Sequence, residues 1–284
     1  MNAKRKNELK KFATRIRIET MKEFKASGFG HIGGALSMVD LLSVLYSGIM
    51  KIDPQRPDWD GRDRLVISKG HAGPSLYATL ALKGYFPLNW LVTLNKPHTR
   101  LPSHCDRTKT PGVDMTTGAL GQGISTALGM ALGFKLDGKD NRVYVVLGDG
   151  ECDEGQIWEG ALFSAHHQLD NLIVFVDNNG KQLDGYTDDV LKLGDLAAKF
   201  AEFGWAAQTV DGGDIEQIES AIETAKETKG KPSCLVLKTI KGAGIKEFEE
   251  MQANHHIILS AEMADKALKD LNDLMNALNE EVVV

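Results

Sequence analysis

Cysteine and proline are scarce in this chain of 284 residues, and no long apolar run stands out. The three cysteines, Cys105, Cys152 and Cys234, are far apart and form no Cys-x-x-Cys pair, which argues against a disulfide framework and a cysteine-based zinc site. The eight prolines form no linker, so we expect a single domain over residues 1–284. No apolar run approaches 18 residues, and we therefore expect no membrane span and no membrane partner.

An excess of positive charge is also missing. The formal net charge is −6 and no basic stripe is visible, which argues against nucleic acid as a partner. Met1–Lys11 is basic, but the apolar core of a secretion signal does not follow it. With 42% hydrophobic and 25% charged residues, the composition is typical of a globular protein, and we expect a cytoplasmic location.

The apolar pattern alternates between strand and helix periods along the chain. The predicted strands are Arg64–Ser68, Val143–Leu147, Leu172–Val176, Ala206–Val210 and Cys234–Thr239. The predicted helices are Asn7–Ala26, Met38–Gly48, Pro74–Lys83, Asn89–Leu94, Ile124–Leu136, Gln156–Gln168, Asp195–Phe203, Asp214–Lys229 and Ser260–Asn279. This alternation predicts an α/β fold of three αβα layers around a mostly parallel central sheet. The short apolar tail Val282–Val284 has no role that the sequence indicates.

Two details of this pattern carry further expectations. Ser37 and Asp40 match a capping-box variant that would open the helix Met38–Gly48. Four glycines crowd the segment Ser27–Gly34 around His31, and they permit an unusual backbone path close to a ligand.

Oxygen-bearing turns follow two of the predicted strands. Gly148-Asp149-Gly150 ends the first and Asn178-Asn179-Gly180 ends the second, with one predicted helix between them. A parallel crossover brings both turns to one sheet edge, where ligands of open α/β sheets bind. Asp149 offers an anionic oxygen and Asn179 a neutral one, while glycine lets phosphate oxygens approach the backbone. Either motif alone is usually an ordinary turn, but together they predict a site for magnesium and a diphosphate.

This pair of turns resembles the magnesium and diphosphate signature of thiamine diphosphate enzymes. Two more segments, Ser68-Lys69-Gly70-His71-Ala72 and Thr116–Gly123, resemble the amino-terminal half of a transketolase, as does most of the chain. The resemblance implies the thiamine diphosphate-binding fold. It also implies thiamine diphosphate and Mg as cofactors.

The resemblance assigns site residues one by one. Asp149, Asn179 and the Lys181 carbonyl would bind the metal. Contacts with the cofactor would come from His71, Gly118, Leu120, Gly150, Glu154, Asn179 and His255. Glu154 matches the family's glutamate between the two sites of the assembled enzyme. The acidic turn Glu151–Glu154 that contains it would otherwise be interpreted as solvated surface.

Histidines form the third part of the expected site. His31, His104 and His255 would be catalytic, acting as hydrogen-bond donors or proton shuttles with pKa values near working pH. His98 and His104 lie in the irregular loop Lys96–Asp114, where the family resemblance selects His104. Ser103 and Cys105 replace the glycine and proline that usually flank that histidine. The resemblance favours His255 as the active-site residue, with His256 as the alternative.

The resemblance implies one subunit of a split transketolase. With a partner, it would transfer a two-carbon ketol unit from a ketose phosphate to an aldose phosphate, as in pentose phosphate metabolism. The partner would supply the pyrimidine-binding and C-terminal domains, including the glutamate that bonds the aminopyrimidine ring, in an α2β2 complex. Alternatives are the α subunit of a 2-oxo acid dehydrogenase and a catalytically silent scaffold subunit. Donor and acceptor remain open, including a sulfonated or branched sugar.

Overall fold

A computed structural model describes residues 1–281, so the tail Val282–Val284 lies outside the described residues. The strands are β1 (Phe29–Gly30), β2 (Arg64–Ile67), β3 (Val143–Gly148), β4 (Leu172–Asn178), β5 (Ala206–Asp211), β6 (Ser233–Lys238) and β7 (Ile257–Ile258). Strands β2 to β6 form one sheet in the order β2-β3-β4-β6-β5. Every pairing in that sheet is parallel, which confirms the predicted α/β architecture.

Eleven α-helices surround the strands within residues 1–281. They are α1 (Ala3–Ser27), α2 (Ile32–Leu36), α3 (Val39–Val44), α4 (Gly73–Lys83), α5 (Gln122–Leu136), α6 (Gly155–His166), α7 (Thr187–Val190), α8 (Leu196–Glu202), α9 (Ile215–Glu227), α10 (Lys246–Glu250) and α11 (Ala261–Glu280). A π-helical turn spans Leu45–Ile49, and 3₁₀ turns span Gly70–Ala72, Leu88–Thr93 and Gly150–Asp153.

The sheet lies between two apolar cores, because residues along each central strand face alternate sides. Tyr144 and Val146 of β3 join the core formed with α1, α3, α4, α9 and α11. Val145 and Leu147 of the same strand join the core formed with α5, α6 and α8. Strands covered on both faces are apolar throughout, which explains the continuous run Leu172–Val176 in β4. These two cores confirm the predicted three layers.

The structure corrects the prediction that no long apolar stretch is present. The 18-residue window Ile32–Ile49 is long and apolar enough to cross a membrane by composition alone. It consists of two short helices and the π-helical turn, however, and 89% of it is buried inside the protein. Burial of this kind is typical of a core helix rather than a membrane segment.

The predicted capping box is wrong. Helix α3 begins after Met38, and no side chain caps its first turn. Ser37 is buried and its hydroxyl donates to Asp177 Oδ2 at 2.6 Å, while Asp40 pairs with Arg17. Both side chains are therefore engaged in tertiary contacts, which outweighed the local capping pattern.

The glycine segment around His31 folds against a distant part of the chain. Strand β1 pairs antiparallel with β7, with Phe29 opposite Ile258. The Gly33 amide donates to the Asn254 carbonyl at 3.1 Å, and the Gly242 amide donates to the Gly33 carbonyl at 3.0 Å. These bonds carry His31 and His255 to the same end of the sheet, although more than 200 residues separate them in the chain.

Candidate active site

The turns after β3 and β4 lie side by side, as the sequence predicted. Gly148 is opposite Asp177 in the ladder, and the Asp149 amide donates to the Asp177 carbonyl at 3.2 Å. The buried Asp149 carboxylate accepts from the Gly150 amide at 2.9 Å and from the Gly180 amide at 2.6 Å. Burial, together with the neighbouring charge of Asp177, raises the pKa of Asp149 to about 6. A cation beside Asp149 would offset both effects.

The other two predicted metal ligands are held in place by neighbouring polar groups. Asn179 donates from Nδ2 to Asp177 Oδ2 at 2.9 Å, and its Oδ1 accepts from the Lys181 amide at 3.2 Å. The Lys181 carbonyl accepts from Lys241 Nζ at 2.8 Å, which leaves it a second lone pair. Carboxylate, amide and carbonyl oxygens are the donors that Mg²⁺ prefers. The donor set therefore fits the magnesium that the sequence predicted.

A buried ion pair supports this edge of the sheet, and sequence reasoning missed it. Lys69 Nζ donates to Asp177 Oδ2 and, at 2.8 Å, to the Gly34 carbonyl. Asp177 also accepts from Ser37 and Thr239. Burial alone would raise the pKa of Asp177, but Lys69 and these hydroxyls outweigh it, so that pKa is lowered. The available signal was a lysine placed directly after an apolar strand, in Ser68-Lys69-Gly70.

Four predicted histidines form a cluster at the same end of the sheet. The His31 ring centroid lies 5.4 Å from His71, 5.5 Å from His104 and 5.4 Å from His255. Burial lowers the pKa of His31 to about 4 and, with the charge of Lys241, that of His255 to about 3. The pKa values of His71 and His104 are lowered as well, chiefly by burial. These histidines are therefore neutral near pH 7, which corrects the expectation of pKa values near working pH.

His255 and His256 occupy different positions. His255 lines the cavity described below, and its Nδ1 lies 3.0 Å from Lys241 Nζ. His256 is exposed, and its ring is tilted against that of Phe29 with 5.7 Å between centroids, although it also lies 5.1 Å from His31. The geometry favours His255 as the residue directed into the site. Burial lowers the pKa of Lys241 to about 8, and no role for this lysine was predicted.

The loop that carries His104 tolerates its unusual sequence. Ser103 donates to Asn95 Oδ1 at 2.7 Å, and Tyr77 donates to the Pro102 carbonyl at 2.9 Å. Left-handed backbone in this loop occurs at His98 and Gly112, not at Ser103, so serine in place of glycine causes no strain there. His98 is not part of the histidine cluster. It lines a separate cavity of about 530 Å³ with Lys96, Arg100 and Lys109.

The glycine-rich segment before α5 packs tightly against the site. Gly118 has a φ of 143°, and a Cβ there would lie 3.1 Å from the His104 ring. A Cβ on Gly121 would lie 2.9 Å from Glu154 Cβ, so these two residues are in direct contact. Leu120 is partly exposed at 38%. The segment thus presents Gly118 and Leu120 to the same space as His104 and Glu154.

The acidic turn after Asp149 is not simply solvated surface. Glu151 is 2% exposed, and its carboxylate accepts from Ser68 Oγ, from the Gly121 amide at 2.9 Å and from the Gly148 amide at 3.1 Å. Burial raises the pKa of Glu151 despite these bonds. Glu154 is exposed at the edge of the site. The expectation of a solvated turn was therefore wrong for Glu151.

All the predicted site residues line one cavity of about 400 Å³. They are His31, His71, His104, Gly118, Leu120, Asp149, Gly150, Glu154, Asn179, Lys181 and His255. The cavity wall also includes residues that the sequence did not suggest, among them Lys69, Glu151, Gln182 and Lys241. Gln182 Oε1 is a buried acceptor without a protein partner in the described part of the chain. A ligand with anionic oxygens at the Asp149 end, held there through a metal ion, would fit this distribution of groups.

The chain also matches known proteins over nearly its whole length. The family model described as "Transketolase, thiamine diphosphate binding domain" matches residues 9–272. The 6-deoxy-6-sulfo-D-fructose transketolase subunit SqwG of Clostridium sp. (strain MSTE9) is 51% identical over 264 residues, which cover 93% of this chain and 96% of that protein. An apulose-4-phosphate transketolase subunit of Actinobacillus succinogenes is 38% identical, covering 94% of this chain and 97% of that protein.

Solved structures agree in fold. The transketolase of Campylobacter jejuni superposes with a TM-score of 0.88 at 31% identity, covering 96% of this chain and 43% of that one. A transketolase mutant of Pichia stipitis superposes with a TM-score of 0.82 at 29% identity and is covered to 46%. The chain therefore spans less than half the length of these solved transketolases. By its sequence, its fold and the geometry of its cavity, the chain belongs to the transketolase family, as a representative of its thiamine diphosphate binding domain.

Proposed function

We propose that this chain is the amino-terminal, diphosphate-binding subunit of a split transketolase. With a partner subunit it transfers a two-carbon ketol unit from a ketose donor to an aldose acceptor, using thiamine diphosphate and Mg²⁺. The observation that carries the proposal is the convergence of every predicted site residue, from separate segments of the chain, on one cavity. The family assignment favours this interpretation over a 2-oxo acid dehydrogenase α subunit.

The protein's contribution is to hold the cofactor, which supplies the reactive carbon and stabilises the transferred two-carbon unit. Asp149, Asn179 and the Lys181 carbonyl would hold the metal, whose charge would offset that of the diphosphate. Lys241 places positive charge near the same end, where it would attract phosphate oxygens. Gly118 and Leu120, which line the same cavity, would contact the ring portion of the cofactor.

The histidines act on the sugar as neutral groups. With its pKa lowered to about 4, His31 is uncharged at pH 7 and offers one N–H donor and one acceptor. His104 is exposed, with its ring centroid 5.5 Å from that of His31, and would contact the donor sugar beside it. Such neutral imidazoles orient hydroxyl groups through hydrogen bonds, without an added positive charge in the cavity.

A second subunit completes the site in this proposal. It supplies the pyrimidine-binding and C-terminal domains, the glutamate that bonds the aminopyrimidine ring, and most groups that bind the sugar's anionic end. Two relatives covered nearly from end to end are named as subunits, which supports this arrangement. We propose two copies of each chain, with a cofactor at each interface between unlike chains.

The donor that we favour is 6-deoxy-6-sulfo-D-fructose, because the relative named for that sugar is 51% identical over 96% of its length. Apulose 4-phosphate is the second candidate, since the relative named for it is 38% identical. Pentose phosphate metabolism remains a prediction. A sulfonate and a phosphate are both anionic groups that bind through cations and N–H donors.

The decisive experiment uses the chain alone, its partner alone and the two together. With Mg²⁺ and thiamine diphosphate present, we expect two-carbon transfer to an aldose phosphate only in the mixture. Mass spectrometry detects the transfer as the appearance of the shortened donor. Donors are compared at equal concentration as 6-deoxy-6-sulfofructose, apulose 4-phosphate and fructose 6-phosphate. Asp149→Ala serves as the inactive control.

Full turnover by this chain alone, with contaminating partner excluded, would overturn the two-subunit proposal. Failure of the mixture to bind thiamine diphosphate would support the silent scaffold instead. A preference for fructose 6-phosphate would reject the sulfonated donor and leave the transketolase assignment in place.

A further inference from the structure

Glu151 contacts three separate segments of the site. Its Oε1 accepts from Ser68 Oγ and, at 2.9 Å, from the Gly121 amide, and its Oε2 accepts from the Gly148 amide at 3.1 Å. The side chain is 2% exposed, so water does not compete for these bonds. One carboxylate therefore joins the ends of β2 and β3 to the first turn of α5.

Each of the three donors belongs to a segment with a different task. Gly148 directly precedes Asp149, which holds the metal end. Gly121 closes the segment with Gly118 and Leu120, which faces the ring end. Ser68 precedes Lys69 and His71. Because Glu151 bonds both glycine amides at once, it fixes the spacing between the metal end and the ring end of the cavity.

Close packing makes that spacing sensitive to small movements. A Cβ on Gly70 would lie 2.7 Å from the Thr117 carbonyl carbon, and one on Gly123 would lie 2.4 Å from Ser68 Oγ. The Thr117 hydroxyl donates to the Ile67 carbonyl at 2.7 Å. The segments that carry Ser68, Gly70, Thr117 and Gly123 are thus already in contact. Because no free space separates them, a shift of one glycine turn would change the shape of the cavity.

We propose that Glu151 is a positioning residue that sets the separation between the diphosphate-metal end and the ring end of the bound cofactor. The inference rests on the proposed function, because it assumes a ligand that spans both ends. It differs from that function in assigning a role to a residue that does not itself hold the metal. A ligand that occupies only the metal end does not depend on this spacing.

The variant Glu151→Gln tests the proposal with little change of shape. Glutamine has one carbonyl oxygen and one NH₂ group, and the NH₂ group cannot accept from a backbone amide. Either the Gly121 or the Gly148 amide then loses its acceptor. Glu202→Gln, at the exposed end of α8, is the matched control because it removes the same charge from a side chain without hydrogen-bond partners in the described structure.

The measurement compares two ligands on the full chain co-purified with its partner. Calorimetric titration with Mg²⁺ and inorganic diphosphate probes the metal end alone, and titration with Mg²⁺ and thiamine diphosphate probes both ends. For Glu151→Gln we expect diphosphate affinity within threefold of wild type and thiamine diphosphate affinity lower by about tenfold or more, the usual effect of one lost hydrogen bond to a charged group. The KM for thiamine diphosphate should rise in proportion, while kcat at saturating cofactor stays within threefold.

Equal weakening of both ligands, or of neither, would overturn the positioning role while leaving the proposed function intact. If the wild-type complex binds neither ligand, the proposed function fails, and the positioning role fails with it. Should Glu151→Gln not fold, Glu151→Asp replaces it, since the shorter carboxylate keeps its charge but cannot reach both amides. The same selective loss of thiamine diphosphate affinity is expected of that variant.

Discussion

Replacing Lys69 by methionine is expected to cost this protein a large part of its stability. Lys69 and Asp177 are both 1% exposed, and the ammonium group donates to Asp177 Oδ2 and to the Gly34 carbonyl at 2.8 Å. Methionine fills a similar volume without charge. The variant therefore removes the ion pair while leaving no large cavity.

The size of the effect follows from what remains around Asp177. Removing one partner of a buried ion pair typically costs about 3–5 kcal/mol, because the other charge is left uncompensated. Asp177 would still accept from Ser37 at 2.6 Å, from Thr239, and from Asn179 at 2.9 Å. These bonds offset part of the loss, so we expect about 3 kcal/mol for Lys69→Met.

Asp177→Asn should cost at least as much. The NH₂ group of the new asparagine can only donate. It would therefore face either the Lys69 ammonium, which is also a donor, or one of the hydroxyls, which would lose its acceptor. With Asn179 bonded to Asp177, this variant also loosens a proposed metal ligand. The double variant should cost about 2 kcal/mol less than the sum of the single variants, since each single change already breaks the pair.

Urea unfolding of the full chain at pH 7, followed by circular dichroism, measures these differences. Lys246→Met is the control, because its ion pair with Glu250 is exposed, with side-chain exposures of 85% and 66%. Exposed pairs contribute little, and we expect a change within about 0.5 kcal/mol. A loss below about 1 kcal/mol for Lys69→Met, or simple additivity in the double variant, would refute the reasoning.

Three further predictions concern the metal, the backbone and pH. Asp149→Ala removes the proposed anionic metal ligand, so calorimetry should show at least tenfold weaker Mg²⁺-dependent binding of thiamine diphosphate with the circular dichroism spectrum retained. Unchanged affinity would reject the assignment. Gly123→Ala should destabilise the chain in thermal unfolding because its Cβ would lie 2.4 Å from Ser68. Gly129→Ala in the same helix adds a Cβ that meets nothing within 4 Å, so it should stabilise the chain by about 0.5–1 kcal/mol. Equal effects of the two variants would contradict this prediction. Burial lowers the pKa of His31 from 6.5 to about 4, so between these pH values the unfolded chain binds a proton that the folded chain does not. The free energy of unfolding therefore falls as the pH drops from 6.5 to 4, by about 1 kcal/mol after allowance for partial exposure. His31→Gln should flatten that pH dependence in urea unfolding, and an identical slope would exclude the effect.

Much of the fold followed from periodicity in the sequence. The five predicted strands match β2 to β6 within one or two residues, because apolar runs bounded by turns leave little choice of boundary. The short elements β1, α2, α7, α10 and β7 were not predicted. Their formation depends on contacts between distant segments, such as the pairing of Phe29 with Ile258. No local pattern contains that information.

The same division holds for the site. Asp149 was identified from its turn at the end of an apolar strand, and His104 because the family resemblance covers its segment. Lys241 and Glu151 were missed, since a lysine in a glycine-rich loop and a glutamate in an acidic turn are ordinarily solvated. Their burial arises only when three or more segments close around them. The neutral state of the histidines likewise depends on burial that the sequence does not show.

The strand order has a consequence for how the chain is made. Strand β6 lies between β4 and β5 in the sheet, although it follows both in the sequence. During synthesis, β4 therefore has an unpaired apolar edge, and β5 has no neighbour, until residue 238 has left the ribosome. At the usual rate of roughly 5–20 residues per second, the segment between β4 and the end of β6 takes on the order of several seconds to translate. For that time the nascent chain presents an open edge of the kind that pairs with other chains, so we expect chaperone demand to peak just before β6 emerges.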